Sequence, residues 1–373
     1  MKSISIDEIK PGMAFSRDVF IEEDSLLAPA KMPIKERDLD RARGWGITEV
    51  QTDGVEYRAD SEVKSSVSGN GHGPDTEKIR SHYNTTVINL LTLFTAFEAK
   101  KKTEGKSYTN LLDVVFPLIL KDPEAWLNYA LEAKRDVNNP AQNAVNTMIY
   151  CMAIAEKTTF SDKEKLDLAM AALLHDIGML KIPDSIKRKN GKLTNDELVK
   201  MKTHTILTYR FITSELGFED ALGRIALLHH ERWDGKGYPR QLAKKQIPLA
   251  ARILSVADAF EAMIKDTPYR DSMIGYTAVR QILNDNSRRF DADIIKVFIK
   301  SMGIYPVGSY VILNDGAVGV VSKIHANAPL RPVIRVLMTG KGEKVQNMNV
   351  NLLEHSESFI ARPFNPKEIK KKG

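Results

Sequence analysis

The sequence predicts a mainly α-helical chain, with a small α/β unit ahead of the helical core and a small β-barrel-like unit after it. Three observations carry this. Apolar residues recur at helical spacing through most of Glu77–Met302. Ahead of that stretch, Ala14–Ile21 alternates like a strand, Lys35–Gly44 reads as a helix and Gly46–Val50 as a closing strand. After it, Val307–Leu313, Val318–Ile324 and Val333–Leu337 alternate and are rich in β-branched residues.

Taken in order, residues 1–56 form the accessory α/β domain, with a turn at Pro11-Gly12. It has no cluster of ligating side chains, so a docking or sensing module and a structural cap fit it equally. Residues 57–76 are rich in Ser, Gly and charge, without apolar period, and read as a flexible linker in which His72 is solvated. Residues 77–135 are lead-in helices. In Glu77–Ala99 the residues Ile79, Tyr83, Val87, Leu90, Leu91, Phe94 and Phe97 fall on one side, and His82 reads as a surface or interface histidine. Lys100–Lys106 is a charged turn, and Leu111–Ala133 is further helix, interrupted near Lys121-Asp122-Pro123. Residues 136–304 make the core. Residues 305–373 make the β-rich appendage, with turns at Asn314-Asp315-Gly316 and Gly340-Lys341-Gly342 and a basic tail, Lys367–Lys372.

At 373 residues the chain has room for two or three domains. The net charge of +6 is modest and comes partly from the solvated tail, so neither DNA nor RNA is expected as a partner. Cys151 is the sole cysteine, which excludes a disulfide within the chain. Met1–Lys10 lacks the apolar core of a signal peptide. Leu111–Leu120 is far too short for a membrane span and is broken by Asp113 and Pro117. A cytoplasmic protein without a membrane span is expected.

The chemistry gathers around Leu173-Leu174-His175-Asp176-Ile177-Gly178. Upstream, Ser161-Asp162-Lys163-Glu164 reads as a capping box, and Leu166, Met170, Leu173 and Ile177 follow at helical spacing. His175 and Asp176 therefore fall in the last turn of an amphipathic helix, beside its buried stripe. Unpaired charge is costly there. For a lone His-Asp pair a helix-terminal salt bridge with a core histidine is the better account, and a metal ion is the alternative. Three further stretches favour the metal. His204 lies in a helix, Leu198–Phe211, opened by a capping box from Thr194 to Glu197. His229 and His230 close a helix, Ile225–His230, before the turn-rich Asp234–Pro239. Asp258 lies in Leu249–Ile264, whose apolar face is Ile253, Val256, Ala257 and Phe260. Four histidines and two aspartates near helix ends suit a mixed nitrogen and oxygen site for iron, manganese or zinc.

From about Asp136 to Met302 the chain resembles the HD-GYP family of metal-dependent cyclic di-GMP phosphodiesterases. The residues that carry the resemblance are His175-Asp176-Ile177-Gly178, Ile182-Pro183-Asp184 and Met201-Lys202-Thr203-His204. They continue through His229-His230-Glu231-Arg232-Trp233-Asp234-Gly235-Lys236-Gly237-Tyr238-Pro239, Ile247-Pro248, Ala251-Arg252-Ile253-Leu254, Val256-Ala257-Asp258 and Pro268-Tyr269-Arg270. The pieces occur in the family's order, with family-like gaps.

The resemblance implies an all-helical HD-GYP core holding two divalent transition metals, iron or manganese. Their ligands would be His175, Asp176, His204, His229, His230 and Asp258, with Asp176 and His175 at the catalytic centre. One ion would use Asp176, His204, His229 and His230; the second would use His175, Asp176, Asp258 and a further histidine. Lys236, Gly237, Tyr238, Pro239 and Arg270 would bind substrate or shape the loop, and Trp233 would pack. The chain departs from the pattern in three places. Asn143 stands where the family carries that further histidine, Asn139 where some members carry a metal-binding glutamate, and Met179 where a lysine usually follows His-Asp-x-Gly. An amide oxygen is a weaker donor than imidazole toward transition metals. The expectation is one intact metal site, one weakened and a third lost. Lys181 is close to Met179, but its side chain should point elsewhere.

The expected function is therefore hydrolysis of cyclic di-GMP, weakened by the lost ligand. The alternatives are an inactive receptor or docking protein in cyclic di-GMP signalling, and a phosphohydrolase for another cyclic dinucleotide. By resemblance, the Gly237-Tyr238-Pro239 loop would contact a diguanylate cyclase or other signalling protein, and the lead-in helices would support a homodimer.

Overall fold

Short alternating runs at the N-terminus form strands because each has one apolar face to bury. They are β1 (Lys2–Ser5), β2 (Ala14–Phe15), β3 (Val19–Glu22) and β4 (Ser25–Ala28), then helix α1 (Glu36–Gly44), β5 (Glu49–Thr52) and β6 (Glu56–Tyr57). Four of these form an antiparallel sheet in the order β1-β5-β3-β4, and β2 pairs separately with β6. The single strand expected over Ala14–Ile21 is thus two. The Ser16 N–H donates to the Val55 carbonyl at 2.8 Å, and the chain leaves one sheet for the other there.

This computed structural model describes residues 2–57, 74–264 and 275–364, except positions 12, 18, 23–24, 29–33, 35, 45–46, 134, 137 and 286–287. Gly12, Lys35, Gly46, most of the expected linker with His72, the stretch Pro268-Tyr269-Arg270 and the tail Lys367–Lys372 lie outside the described residues.

The helical period is realised as α2 (Pro74–Glu98), α3 (Gly105–Lys121), α4 (Pro123–Glu132), α5 (Pro140–Ala155) and α6 (Asp162–Leu174). A short 3₁₀ turn (Ile177–Lys181) leads to α7 (Asp184–Lys187), α8 (Asn195–Lys202), α9 (His204–Arg210) and α10 (Asp220–Leu227). Then come α11 (Leu249–Ile264), α12 (Gly275–Asn284) and α13 (Ala292–Met302). The interruption between α3 and α4 falls at Asp122-Pro123. Asp122 Oδ1 accepts from the Ala125 N–H at 3.0 Å, and Pro123 takes the first helical position, where its missing N–H costs nothing. On α2 the residues Tyr83, Val87, Leu90, Phe94 and Phe97 are buried, whereas Leu91, expected on that stripe, is exposed.

Helix α5 is the centre of the core. Every side chain from Ala144 to Ala155 is buried, because α2, α4, α6 and α11 all pack on it. Burying residues such as Ile149 and Ile154 contributes about 1.5–3 kcal/mol each. This helix and α11 are apolar on nearly every side, the pattern of a helix enclosed by others.

After α13 come β7 (Tyr310–Leu313), β8 (Val318–Lys323), β9 (Val333–Met338), β10 (Lys344–Asn351) and β11 (Ile360–Pro363). They form one antiparallel sheet in the order β10-β9-β8-β7-β11. Two of the five were not anticipated. The sequence of β10, KVQNMNVN, is too polar to show alternation, and β11 is a strand only because β7 offers it an edge. By contact, the chain falls into two units. One comprises Met1–Gly71, Ile274–Asn284 and Ile299–Gly373; the other comprises His72–Met273 and Asp285–Phe298. Within the first, Arg331 faces Asp38 of α1 at 3.6 Å, with both side chains buried. Among the described residues, no helix is long and apolar enough to cross a membrane.

Candidate metal centre

The capping box at Ser161 forms as expected: Ser161 Oγ accepts from the Glu164 N–H, and the Glu164 carboxylate accepts from the Ser161 N–H. Helix α6 then ends before both His175 and Asp176. Leu174 is its last residue, His175 is the C-cap, and Asp176 takes φ −109° and ψ 8° before the 3₁₀ turn. The expected placement in the last turn is corrected by that tightening, in which the Met179 N–H bonds the Asp176 carbonyl at 2.9 Å. The single helix expected over Leu198–Phe211 is likewise two. Thr203 Oγ1 donates to the Lys200 carbonyl at 2.6 Å and breaks the ladder, so His204 opens α9. His229 and His230 follow the end of α10 instead of closing it.

Each break aims an imidazole. Nδ1 of His175, His204 and His229 bonds the carbonyl three residues back, that of Ala172 at 2.8 Å, Met201 at 2.8 Å and Ala226 at 2.6 Å. A carbonyl only accepts, so each Nδ1 carries a proton and Nε2 is the ring atom left to ligate. These Nε2 atoms converge on two carboxylates. His204 Nε2 is 3.3 Å and His229 Nε2 3.8 Å from Asp176 Oδ1. His175 Nε2 is 3.5 Å from Asp176 Oδ2 and 3.4 Å from Asp258 Oδ1. The His230 ring lies 3.9 Å from that of His229, centroid to centroid. Donor atoms gather into two groups, each within 4.8 Å: Asp176, His204, His229 and His230, and then His175, His229 and Asp258. All six residues read as ligands are thus brought together.

The electrostatics follow from the burial. Burial opposes charge on His175, but Asp176 and Asp258 prevail and raise its pKa to about 9. Burial, aided by the neighbouring His175, lowers His229 to about 4, and burial, aided by His229, pushes His230 well below its ordinary value. Burial alone would raise Asp258; the hydrogen bond and charge of His175 instead hold it at about 2. The neutral His229 and His230 beside ionised carboxylates form a donor set for a divalent cation, which His175 joins on giving up its proton. The residues fit such an ion by another test: His204 Nε2 and His229 Nε2 are buried and accept no hydrogen bond. A buried polar atom without a partner costs about 1–3 kcal/mol, a cost that coordination removes.

Several supporting residues had no role in the sequence reading. Gly178 N–H donates to Thr208 Oγ1 at 3.0 Å, and that hydroxyl donates to the His175 carbonyl at 3.1 Å. Thr208 lies four residues after His204 on one helix, which was the available signal. The buried Glu231 carboxylate accepts from the N–H groups of Arg240 at 2.6 Å and Leu242 at 3.0 Å, closing the loop between them. Gly237 passes so near the chain that a Cβ on it would lie 2.4 Å from the Arg232 nitrogen. Tyr238 donates its N–H to the His230 carbonyl at 3.2 Å, and its ring lies 4.8 Å from the His230 ring. Lys202 Nζ stands 5.2 Å over the Tyr238 ring. Pro239 is half-buried and Lys236 exposed. Arg252 stacks over Trp233 at 5.7 Å and pairs with Asp291, so Trp233 packs as read.

The departures are placed as follows. Asn139 is the N-cap of α5, its Oδ1 accepting from the Gln142 N–H at 3.0 Å. Asn143 is half-buried in the first turn of α5. Lys181 turns away, donating to the Phe97 carbonyl at 2.8 Å. Met179 is half-buried, and Arg270 lies outside the described residues.

Comparison with known proteins agrees with this geometry. Residues 126–294 match the family described as HD domain, and residues 310–372 match a KOW domain associated with HD domain. The chain is 32% identical to a cyclic di-GMP phosphodiesterase of Pseudomonas aeruginosa, over 63% of this chain and 56% of that protein. It is 25% identical to the cyclic di-GMP phosphodiesterase PdeB of Borreliella burgdorferi, over 94% of this chain and 92% of that one. A cyclic di-GMP phosphodiesterase of Thermotoga maritima is 39% identical over 39% of this chain and 40% of its own length. The chain thus spans little more than half of the first of these relatives and less than half of the third. The helical core over residues 126–294, which carries the His-Asp pair and the Gly-Tyr-Pro loop, is thus similar to the HD domain family.

Proposed function

We propose that the protein is a metal-dependent phosphodiesterase that hydrolyses cyclic di-GMP. The observation that carries this reading is the convergence of three proton-fixed imidazoles and two carboxylates in two adjoining donor groups that share His229. Divalent ions, iron or manganese for this donor set, supply an acidified water and neutralise charge on the phosphoryl oxygens. Asp176 spans the two groups, one oxygen toward His204 and His229 and the other toward His175. The Nδ1 bonds hold the rings without cost at the moment of reaction. Tyr238 walls the site beside His230, and Lys202 places a cation at its edge, where an anionic phosphodiester would enter.

Asn143 in place of a histidine weakens the second ion in this reading, and turnover with it. A receptor that binds the nucleotide without cleaving it is the second reading. It is favoured by Asn139, whose side-chain oxygen is engaged in capping α5. The protein purified without oxygen and supplied with Mn²⁺ or Fe²⁺ should convert cyclic di-GMP to the linear dinucleotide or GMP, and Asp176→Ala should abolish this. Binding of the nucleotide without its consumption, with both metals, replaces the enzyme by the receptor.

A further inference from the structure

Beneath the metal centre lies a second polar cluster. Arg135 Nη1 donates to both oxygens of Glu261, at 2.8 and 2.6 Å, and Arg135 Nη2 donates to the Tyr150 hydroxyl at 2.9 Å and the Ala130 carbonyl at 3.2 Å. Asn146 Nδ2 donates to Glu261 Oε1 at 3.1 Å, and the Tyr83 hydroxyl donates to Asn146 Oδ1 at 2.7 Å. The Arg135 and Glu261 side chains are 13% and 4% exposed. Glu261 therefore receives three hydrogen bonds from partners far away in sequence, in a place where an exposed salt bridge's flexibility is absent.

Stability does not account for this pair. Burying two charges costs several kcal/mol per ion, and well-packed apolar residues serve a core as well or better. What apolar residues do not supply is direction. Glu261 lies on α11 three residues after Asp258, on the same helical face one turn on. Whatever fixes the rotation of α11 at Glu261 fixes the reach of Asp258, whose Oδ1 stands 3.4 Å from His175 Nε2. Asn146, in turn, lies one turn after Asn143 on α5. Tyr150 adds a second hold, since its ring packs edge-on against Phe260 of α11 at 5.4 Å. Tyr83 brings α2 into the same network, so the lead-in helix is bonded to the two helices that flank the His175 and Asp258 half of the centre.

We propose that Glu261 is a positioning residue for the Asp258–His175 half of the metal centre, held by Arg135, Asn146 and Tyr83. The proposal rests on the metal-centre reading above and makes no use of the substrate. It assigns the network to one ion and leaves the Asp176, His204, His229 and His230 group untouched.

The test is a Mn²⁺ titration of the full chain, counting ions per chain and their affinities, with thermal unfolding alongside. Arg135→Met combined with Glu261→Met removes both charges at similar volume, so the fold should hold. The first ion should bind as in the wild type and the second about 10–100-fold more weakly, the usual cost of losing an outer-sphere support. Tyr83→Phe, which removes one hydroxyl, should weaken the same ion by a smaller factor, and it decides alone if the double variant does not fold. An unchanged second affinity in whichever variant folds overturns the proposal. So does equal weakening of both ions, or a wild type that takes a single ion at saturation. If the second ion is lost as expected while the wild type leaves cyclic di-GMP intact, the substrate reading falls and the positioning role stands.

Discussion

Gly178 and Thr208 touch with no room between them: the Gly178 amide bonds the Thr208 hydroxyl at 3.0 Å, and a Cβ on Gly178 would lie 2.8 Å from that oxygen and 2.2 Å from the His204 carbonyl. The contact docks the His-Asp turn directly on α9, the helix that His204 opens. Gly178→Ala should push α9 away, destabilise the protein by about 1–3 kcal/mol through overpacking, and weaken metal binding. Thr208→Val keeps the shape but strands a buried N–H, costing about 1–3 kcal/mol, while Thr208→Ser keeps the hydroxyl and should cost less. Chemical denaturation with Mn²⁺ binding on the three variants checks this. A Gly178→Ala protein with wild-type stability and affinity removes the docking argument.

Metal binding should depend on pH through His175. Its folded pKa, about 9, lies above the ordinary histidine value of 6.5. In the metal-free protein the stabilising contribution of His175 is complete below about 6.5 and is lost as pH rises through about 9. An ion coordinated by His175 must displace that proton. Its apparent affinity should therefore rise with pH by up to about tenfold per unit and level off near 9. His229, lowered to about 4, is already neutral at pH 7 and adds no such slope. Mn²⁺ titrations between pH 6.5 and 9 measure this, and an affinity flat across that window contradicts it.

Asn143→His should raise occupancy of the second ion. Loss of an outer-sphere partner costs about 10–100-fold in affinity, so exchanging a direct donor should matter at least as much. Asn143 is the one half-buried side chain between Ala141 and Ala155, so the change does not disturb the core of α5. Asn139→Glu keeps an oxygen that can cap α5 while adding charge, and should favour further metal. Metals per chain and hydrolysis rate for the single and double variants give the answer. Unchanged occupancy in a folded Asn143→His protein means that position 143 does not reach the ions.

The amino-acid sequence by itself determined what depends on neighbours a few residues apart. The capping boxes at Ser161 and Thr194, the stop at Asp122-Pro123, and helix α11 were legible because caps, proline and helical period act within one or two turns. The six histidines and aspartates were legible as chemistry, because no solvated face needs that set in that order. Only the tertiary structure decided where helices stop at the site. His175, His204 and His229 each sit at a break, and the turn after His175 is docked by a partner distant in the chain, Thr208, 30 residues from Gly178. The same holds for Glu231 closing its loop and for Arg135 meeting Glu261 across 126 residues. It holds also for β11, a strand only beside β7. A hydrogen bond of that kind exists only after the chain has closed the intervening loop, and nothing in the local pattern of either partner announces it.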